Sequence, residues 1–222
     1  MMKISVIIPA YNAEQYIVDV LEKIKSITSS EILVIDDGST DKTAEIVKSL
    51  NIRVLSHLAN RGKGEALKSG FAEAIRSGID AVITLDADGQ HDPSYIPDLI
   101  QAVQKKSYDI IIGSRMKDLK KMPFHRRLSN LITSWLISLR IGQRVEDSQS
   151  GFRIIKINVL KNIFLKTHHF ETESEILIRS GLKGFKIGHI PIHAIYAGES
   201  TSIKVITDTL RFIKLYISSL TW

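Results

Sequence analysis

The sequence contains no cysteine among its 222 residues, which removes disulfides, thiolate metal sites and cysteine nucleophiles. Long hydrophobic runs are missing too. No stretch reaches the roughly eighteen uninterrupted apolar residues that a membrane-spanning helix needs. The opening Met1-Met2-Lys3-Ile4 runs straight into an apolar segment and lacks the charged, apolar, then small-residue layout of a signal peptide. These absences predict a cytoplasmic chain that neither crosses a membrane nor is secreted. Acidic residues are outnumbered, 24 against 30 Lys and Arg, and the net charge of +6 implies an anionic partner such as a nucleoside diphosphate, an acidic membrane surface or nucleic acid. The basic loop carries no interleaved aromatics and no RNA-binding sheet signature is present, so no nucleic-acid partner is expected.

What is present is an ordinary 44% of hydrophobic residues, enough to bury the core of one domain over residues 1–222. The first half alternates short β-branched runs with helix-period segments, the pattern of βαβ units around a mostly parallel sheet flanked by helices. Strands are expected at Ile4 to Ile8, Ile32 to Ile35, Arg53 to Leu55, Ala81 to Leu85 and Ile110 to Ile112. Helices are expected at Ala13 to Ile27, Lys42 to Leu50, Gly64 to Ser77 and Ser94 to Lys106. After Gly113 the rhythm changes and the plain sheet is expected to end. Lys117, Lys120, Lys121, Arg126 and Arg127 crowd a loop that leads into a helix at Leu128 to Ile141. A strand near Phe152 to Ile155, a helix from Glu171 to Ser180, a strand from Phe185 to Ile190 and an amphipathic helix over Ile203 to Leu220 follow. The boundary divides a first half, 1–113, from a second, 114–222.

In an open α/β sheet, ligands bind beyond the carboxyl ends of the strands. Here those positions carry Pro9-Ala10-Tyr11-Asn12, Asp36-Asp37-Gly38-Ser39-Thr40-Asp41, Asp86-Ala87-Asp88-Gly89-Gln90 and Gly113-Ser114-Arg115. Asp86 and Asp88 lie two apart, so in extended backbone both carboxylates project to one side and can share a hard cation, with Gln90 adding a neutral oxygen. Mg²⁺ or Mn²⁺ suits such a donor set. The competing reading is a surface Asp-Gly turn with no ligand. The cluster from Asp36 to Asp41 reads equally as a helix cap or as acceptors for a base edge or ribose hydroxyl. Asn60-Arg61-Gly62-Lys63-Gly64 opens a helix with two glycines and two cations, which suits an anion at a helix N-terminus, yet matches neither the P-loop nor the dinucleotide fingerprint.

Taken together with Asp147-Ser148-Gln149-Ser150-Gly151-Phe152-Arg153 and Phe170-Glu171-Thr172-Glu173, these strings resemble family-2 glycosyltransferases of the GT-A fold, and within them the polyprenyl-phosphate branch that includes the dolichyl-phosphate mannose synthases. The resemblance implies a donor site in the first half and an acceptor site in the second. Pro9, Ala10, Tyr11, Asp37 and Lys63 would contact the nucleotide sugar, with Asp86, Ala87 and Asp88 at its diphosphate. Metal would be held by Asp86, Asp88 and Gln90, and acceptor phosphate by Arg115, Arg126 and Ser129 or Asn130. The implied reaction moves a hexose, from a GDP-mannose or UDP-glucose type of donor, to a polyprenyl phosphate with inversion. A family-2 enzyme acting on a glycan hydroxyl is the alternative. Two departures stand out: Ala13 precedes Glu14 where the synthases carry glutamate directly after Tyr-Asn, and Ile195 stands where they place an arginine three residues before Gly198-Glu199-Ser200. The Gln-x-x-Arg-Trp string of processive polysaccharide synthases is absent.

A lipid-phosphate oxygen is already anionic near neutral pH and needs no base. A sugar hydroxyl does, and Asp147 or Glu173 would then be the catalytic base, with Asp88 and Arg115 also at the reacting groups. Glu171 and Glu175 share a helical face, away from Glu173, and a solvated helix N-terminus is the plain alternative for all three. His168-His169 lacks the spacing of a helical metal pair and reads as structural. Along Ile203 to Leu220, Lys204, Thr207, Asp208, Arg211, Lys214 and Ser218 form one stripe, with Ile206, Leu210, Ile213 and Ile217 on another. Packing of the apolar stripe on the core competes with insertion into a membrane interface, and Leu128 to Ile141 offers a second such helix. The expected location is therefore peripheral, on the cytoplasmic face of a membrane. Nothing in the sequence speaks to oligomeric state.

Overall fold

The computed structural model describes residues 2–105, 107–116, 122–193, 195 and 205–222. Lys117, Lys120, Lys121, the Gly198-Glu199-Ser200 segment, Ile203 and Lys204 lie outside the described residues.

Seven runs rich in Ile and Val become strands β1 (Ile4–Ala10), β2 (Glu31–Asp36), β3 (Arg53–Ser56), β4 (Ala81–Thr84), β5 (Ile110–Ser114), β6 (Arg153–Lys156) and β7 (Ile187–Pro191). They form one sheet in the order β3-β2-β1-β4-β6-β5-β7. Successive side chains alternate between two cores: Val6, Ile8 and Ile83 face one layer, Ile7, Val82 and Ile110 the other. Helices α1 (Ile17–Ile27), α2 (Thr43–Ser49), α3 (Lys63–Arg76), α4 (Ile96–Lys105), α5 (Phe124–Ile141), α6 (Ile157–Asn162), α7 (Glu171–Leu182) and α8 (Val205–Ser219) cover the two faces.

The expected strands form, but the sheet does not end at Gly113. β6 inserts antiparallel between β4 and β5, and β7 pairs parallel with β5. Two antiparallel steps restore direction, so β5 runs parallel to β4 and its carboxyl end still reaches the edge served by β1, β2 and β4. The first helix starts at Ile17, four residues later than the periodicity suggests. The amides of Ala13 and Glu14 are spent on Thr43 Oγ1 at 2.8 Å and Asp41 Oδ2 at 3.1 Å, which pins this loop to the one after β2. α6 went unread because six residues are too few for a 3.6-residue period to register.

Two helices depart from the ordinary amphipathic pattern. On α5 the residues turned inward are Asn130, Ser134 and Ile137. Thr133, Ser134 and Ser138 hydrogen-bond inward to Ser148, Ser148 and Val145 O. Its large apolar side chains, including Trp135 at 64% and Leu139 at 65% exposure, point outward. On α8 the core face is Phe212, Leu215 and Ser219, while Leu210, Ile213 and Ile217 of the apolar stripe are exposed, which removes core packing of that stripe. Both helices pack on α7. α7 itself is buried from Thr172 to Ile178, which overturns the solvated reading of its glutamates. Glu175 is enclosed and accepts from the amides of Lys166 and Thr167 and from Arg179 Nε.

Candidate active site

The loops at the carboxyl ends of β1, β2, β4 and β5 converge as the topology requires. After β4, Asp86 and Asp88 sit at a turn closed by Gly89 at φ +73° and by Gln90 N donating to Asp88 Oδ1 at 3.0 Å. Lys63, the first residue of α3, places its Nζ 2.6 Å from Asp86 Oδ1 and 3.0 Å from Glu173 Oε1 on α7. Burial works against the charge on Lys63, but Asp86 and Glu173 more than offset it and raise its pKa. Burial likewise opposes charge on Asp86; Lys63 wins, and the carboxyl lies below its ordinary range. The group is therefore ionised, with Lys63 as a counter-ion joining the first half of the chain to the second.

Glycine is required beside this carboxylate. A Cβ built on Gly151 would stand 2.6 Å from Asp86 Oδ2, so the Ser150-Gly151-Phe152 backbone passes directly against it. That backbone is held by Thr84 Oγ1, which donates to Gly151 O at 2.7 Å. It is held further by the fully buried Arg153, whose guanidinium donates to Ser148 O, Ser150 O and Glu173 O at 2.7, 2.7 and 2.8 Å. Arg153 ties the loop before β6 to α7. Its signal in the sequence was a charge in the middle of an apolar strand, noticed only as part of a motif.

His91, which directly follows Gln90, is the other residue to which the sequence assigns no role. It is 3% exposed, neither ring nitrogen makes a hydrogen bond, and Nδ1 stands 3.9 Å from Asp86 Oδ2. Burial pushes its pKa down to about 4 against the pull of Asp86, so the ring is neutral near pH 7. It leans on Phe152 with ring centroids 5.6 Å apart.

Across the site Arg115 grips Asp147. Its backbone N and Nε each donate to Oδ2 at 2.9 Å and its Nη2 donates to Oδ1 at 2.8 Å, while Asn130 Nδ2 donates to Oδ1 at 2.7 Å. Asp147 is wholly buried; that alone would raise its pKa, but Arg115 and these hydrogen bonds bring it down to about 2. Asn130 is 1% exposed and its amide is spent on Asp147, which leaves Ser129 as the more accessible of the two residues expected at the acceptor. Ser129 is half-buried and accepts from Gln149 Nε2 at 3.1 Å. Arg126 is half-buried on the first turn of α5.

On the donor side, Tyr11 is 48% exposed, whereas Pro9 and Ala10 are buried within β1 and reach a ligand only through backbone. Asp37 is buried and its carboxylate takes partners within the protein. Oδ1 accepts from Arg61 N at 3.0 Å and meets His57 Nδ1 at 2.6 Å; Oδ2 accepts from Gly62 N at 2.7 Å. The aspartate thus fixes the loop that delivers Lys63. His168 is exposed, paired with Glu65 and 3.5 Å from Lys68 Nζ.

Acidic residues after β4, a lysine entering at the head of α3 and an arginine after β5 all lie on the carboxyl edge of this sheet, where open α/β sheets bind their ligands, and the comparisons with known proteins assign the class to which this arrangement belongs, the GT-A glycosyltransferases. Residues 5–168 match the family model described as glycosyl transferase family 2, and the chain belongs to that family. It is 35% identical over 215 residues to a UDP-N-acetylglucosamine–dolichyl-phosphate N-acetylglucosaminyltransferase of Methanococcus voltae, covering 87% of this chain and 86% of that one. It is 34% identical over 202 residues to a dolichol-phosphate mannosyltransferase of Pyrococcus furiosus, covering 86% of this chain and 56% of that one. Among solved structures, glucosyl-3-phosphoglycerate synthase of Mycobacterium tuberculosis in complex with UDP superposes with a TM-score of 0.79 at 21% identity, over 98% of this chain and 80% of that one.

Proposed function

We propose that this enzyme transfers a sugar from a nucleoside-diphosphate sugar to a polyprenyl phosphate at a membrane surface. The observation that carries the choice of acceptor is the state of the two expected bases. Asp147, held at a pKa of about 2 by Arg115 and Asn130, is too weak a base to take a hydroxyl proton. Glu173 is ion-paired with Lys63. A phosphate oxygen needs neither, so the anionic acceptor fits this site and the glycan hydroxyl does not. Two of the relatives are named for transfer to dolichyl or dolichol phosphate.

The donor set after β4 fits a divalent cation. Asp86, Asp88 and the Gln90 amide are hard oxygen donors, and no cluster of three or more His, Asp or Glu capable of holding a metal occurs among the described residues. An ion held there takes its remaining ligands from water and diphosphate, as Mg²⁺ and Mn²⁺ do. When bound, it neutralises charge growing on the leaving diphosphate. The M. tuberculosis synthase has been crystallised with Mn²⁺ and UDP. Lys63 adds a second positive charge at the same place, and Tyr11 offers an exposed ring to the base. Arg115, its geometry fixed by Asp147, and Arg126 orient the acceptor phosphate. Its oxygen bonds to the anomeric carbon as the bond to the diphosphate oxygen breaks on the opposite face, which inverts that centre.

The outward apolar faces of α5 and α8 supply the membrane contact, with Arg126, Arg127, Arg211 and Lys214 nearby for anionic headgroups. No helix among the described residues is long and apolar enough to cross a bilayer, so the contact is peripheral. The test is a screen of UDP- and GDP-sugars with Mg²⁺ or Mn²⁺, in the presence of polyprenyl phosphate or a glycan acceptor. Label extracted into organic solvent with one donor supports the reading. Transfer to glycan alone refutes it.

A further inference from the structure

His91 is buried, polar and unused by the chemistry above. A buried donor or acceptor without a partner is destabilising, so retaining an imidazole here rather than a phenyl ring needs a reason. The setting supplies one. Phe152 already provides an aromatic neighbour, and an apolar ring at position 91 would pack there without penalty. Nδ1 instead lies 3.9 Å from Asp86 Oδ2, the oxygen that Gly151 leaves open by lacking a side chain. That gap is about 1 Å beyond a normal hydrogen bond. The opposite oxygen, Oδ1, is held by Lys63.

We infer that His91 is a positioning residue for Asp86: its Nδ1–H takes hold of Asp86 Oδ2 when Lys63 releases Oδ1 toward the donor's diphosphate. Asp86 thereby changes partner without losing orientation. With Lys63 on Oδ1, one oxygen is blocked; with His91 on Oδ2, the other oxygen faces the cation and diphosphate. Hydrogen bonds of this kind to a metal-binding group fix its direction and carry a 10–100-fold effect on metal affinity. The inference rests on the reading that Asp86 binds a cation together with diphosphate.

The test uses the full-length protein and three probes. Mn²⁺ affinity is measured by electron paramagnetic resonance with UDP or GDP present, for wild type, His91→Phe and His91→Asn. Phenylalanine keeps the ring and its contact with Phe152 but removes both nitrogens; asparagine keeps an N–H near the position of Nδ1. His91→Phe is expected to weaken Mn²⁺ binding about 10-fold or more while its melting temperature holds or rises. His91→Asn is expected to stay within about threefold of wild type. As a readout independent of either variant's folding, the ¹⁵N signals of His91 in wild type are expected to shift on saturation with Mg²⁺ and nucleoside diphosphate. Equal Mn²⁺ affinity in His91→Phe and wild type overturns the inference, as do ring signals that stay unmoved. If wild type binds no Mn²⁺ with either nucleotide, the cation reading falls and this one falls with it.

Discussion

Replacing Asp147 by asparagine should cost this protein about 3 kcal/mol of stability, and the figure follows from the contacts. The carboxylate is fully buried and takes donors from Arg115 N, Nε and Nη2 and from Asn130 Nδ2, all within 2.7–2.9 Å. An asparagine presents an amide N–H₂ toward at least one of those donors and leaves the Arg115 guanidinium without its counter-charge. Breaking a buried pair by removing one partner costs about 3–5 kcal/mol. A second route agrees in order of magnitude: a pKa of about 2 against the ordinary 3.8 corresponds to roughly 2 kcal/mol. For a chain of this length that lowers the melting temperature by about 6–12 °C. Because the folded pKa is depressed, the contribution is complete above about pH 4 and fades as the pH falls toward 2. Urea unfolding followed by tryptophan fluorescence at pH 7, 5, 4 and 3 measures it. The gap between wild type and Asp147→Asn should be constant from pH 7 to 5 and narrow below 4. A gap under 0.5 kcal/mol at pH 7, or one that does not change with acid, refutes the reasoning.

Three further outcomes follow from the same structure. Gly151→Ala would drive a methyl group to 2.6 Å from Asp86 Oδ2, and should cut turnover by at least tenfold while circular dichroism stays native; full activity would show that the carboxylate can move aside freely. Chelation with EDTA should abolish nucleotide-sugar binding in calorimetry, since Asp86 and Asp88 would then repel the diphosphate, and Mn²⁺ should restore it; binding that survives chelation argues against the cation. Trp135→Ser combined with Leu139→Ser should reduce flotation with anionic liposomes several-fold and leave nucleotide affinity unchanged, because neither side chain turns toward the site. Unaltered flotation would remove α5 from the membrane contact.

The strand pattern and the clusters that follow each strand were legible because they depend on local periodicity and on a general rule about sheet edges. Asp86, Asp88 and Arg115 were placed at the sheet edge that way, whereas Lys63 stood out only in a glycine-flanked helix start. The uses of Asp37 and Asn130 were not legible. Both were read as ligand contacts, yet each is buried and bonded to partners 17 to 25 residues away in sequence. A polar side chain in a motif looks the same whether it holds a ligand or holds the loop that holds the ligand. α8 was legible only as two alternatives, for another reason. Its sequence is apolar on two faces, and periodicity alone cannot say which face, Phe212 with Leu215 or Leu210 with Ile213, meets the core. Only α7 decides that.

The placement of β6 bears on how the chain reaches this state during synthesis. β1 to β4 can pair as soon as they emerge, but β5 has no direct partner among them, because β6 separates it from β4. Until Arg153–Lys156 has left the ribosome, the hydrogen-bonding edge of β4 stands open and β5 has nowhere to dock. A fragment stopped at Gly113 would hold most of the donor-side motifs and still expose an apolar, unpaired strand, the form most prone to self-association. The two halves of the sequence share one sheet and one site and are inseparable in assembly, and a nascent chain has to extend past Lys156 before the edge of β4 is covered.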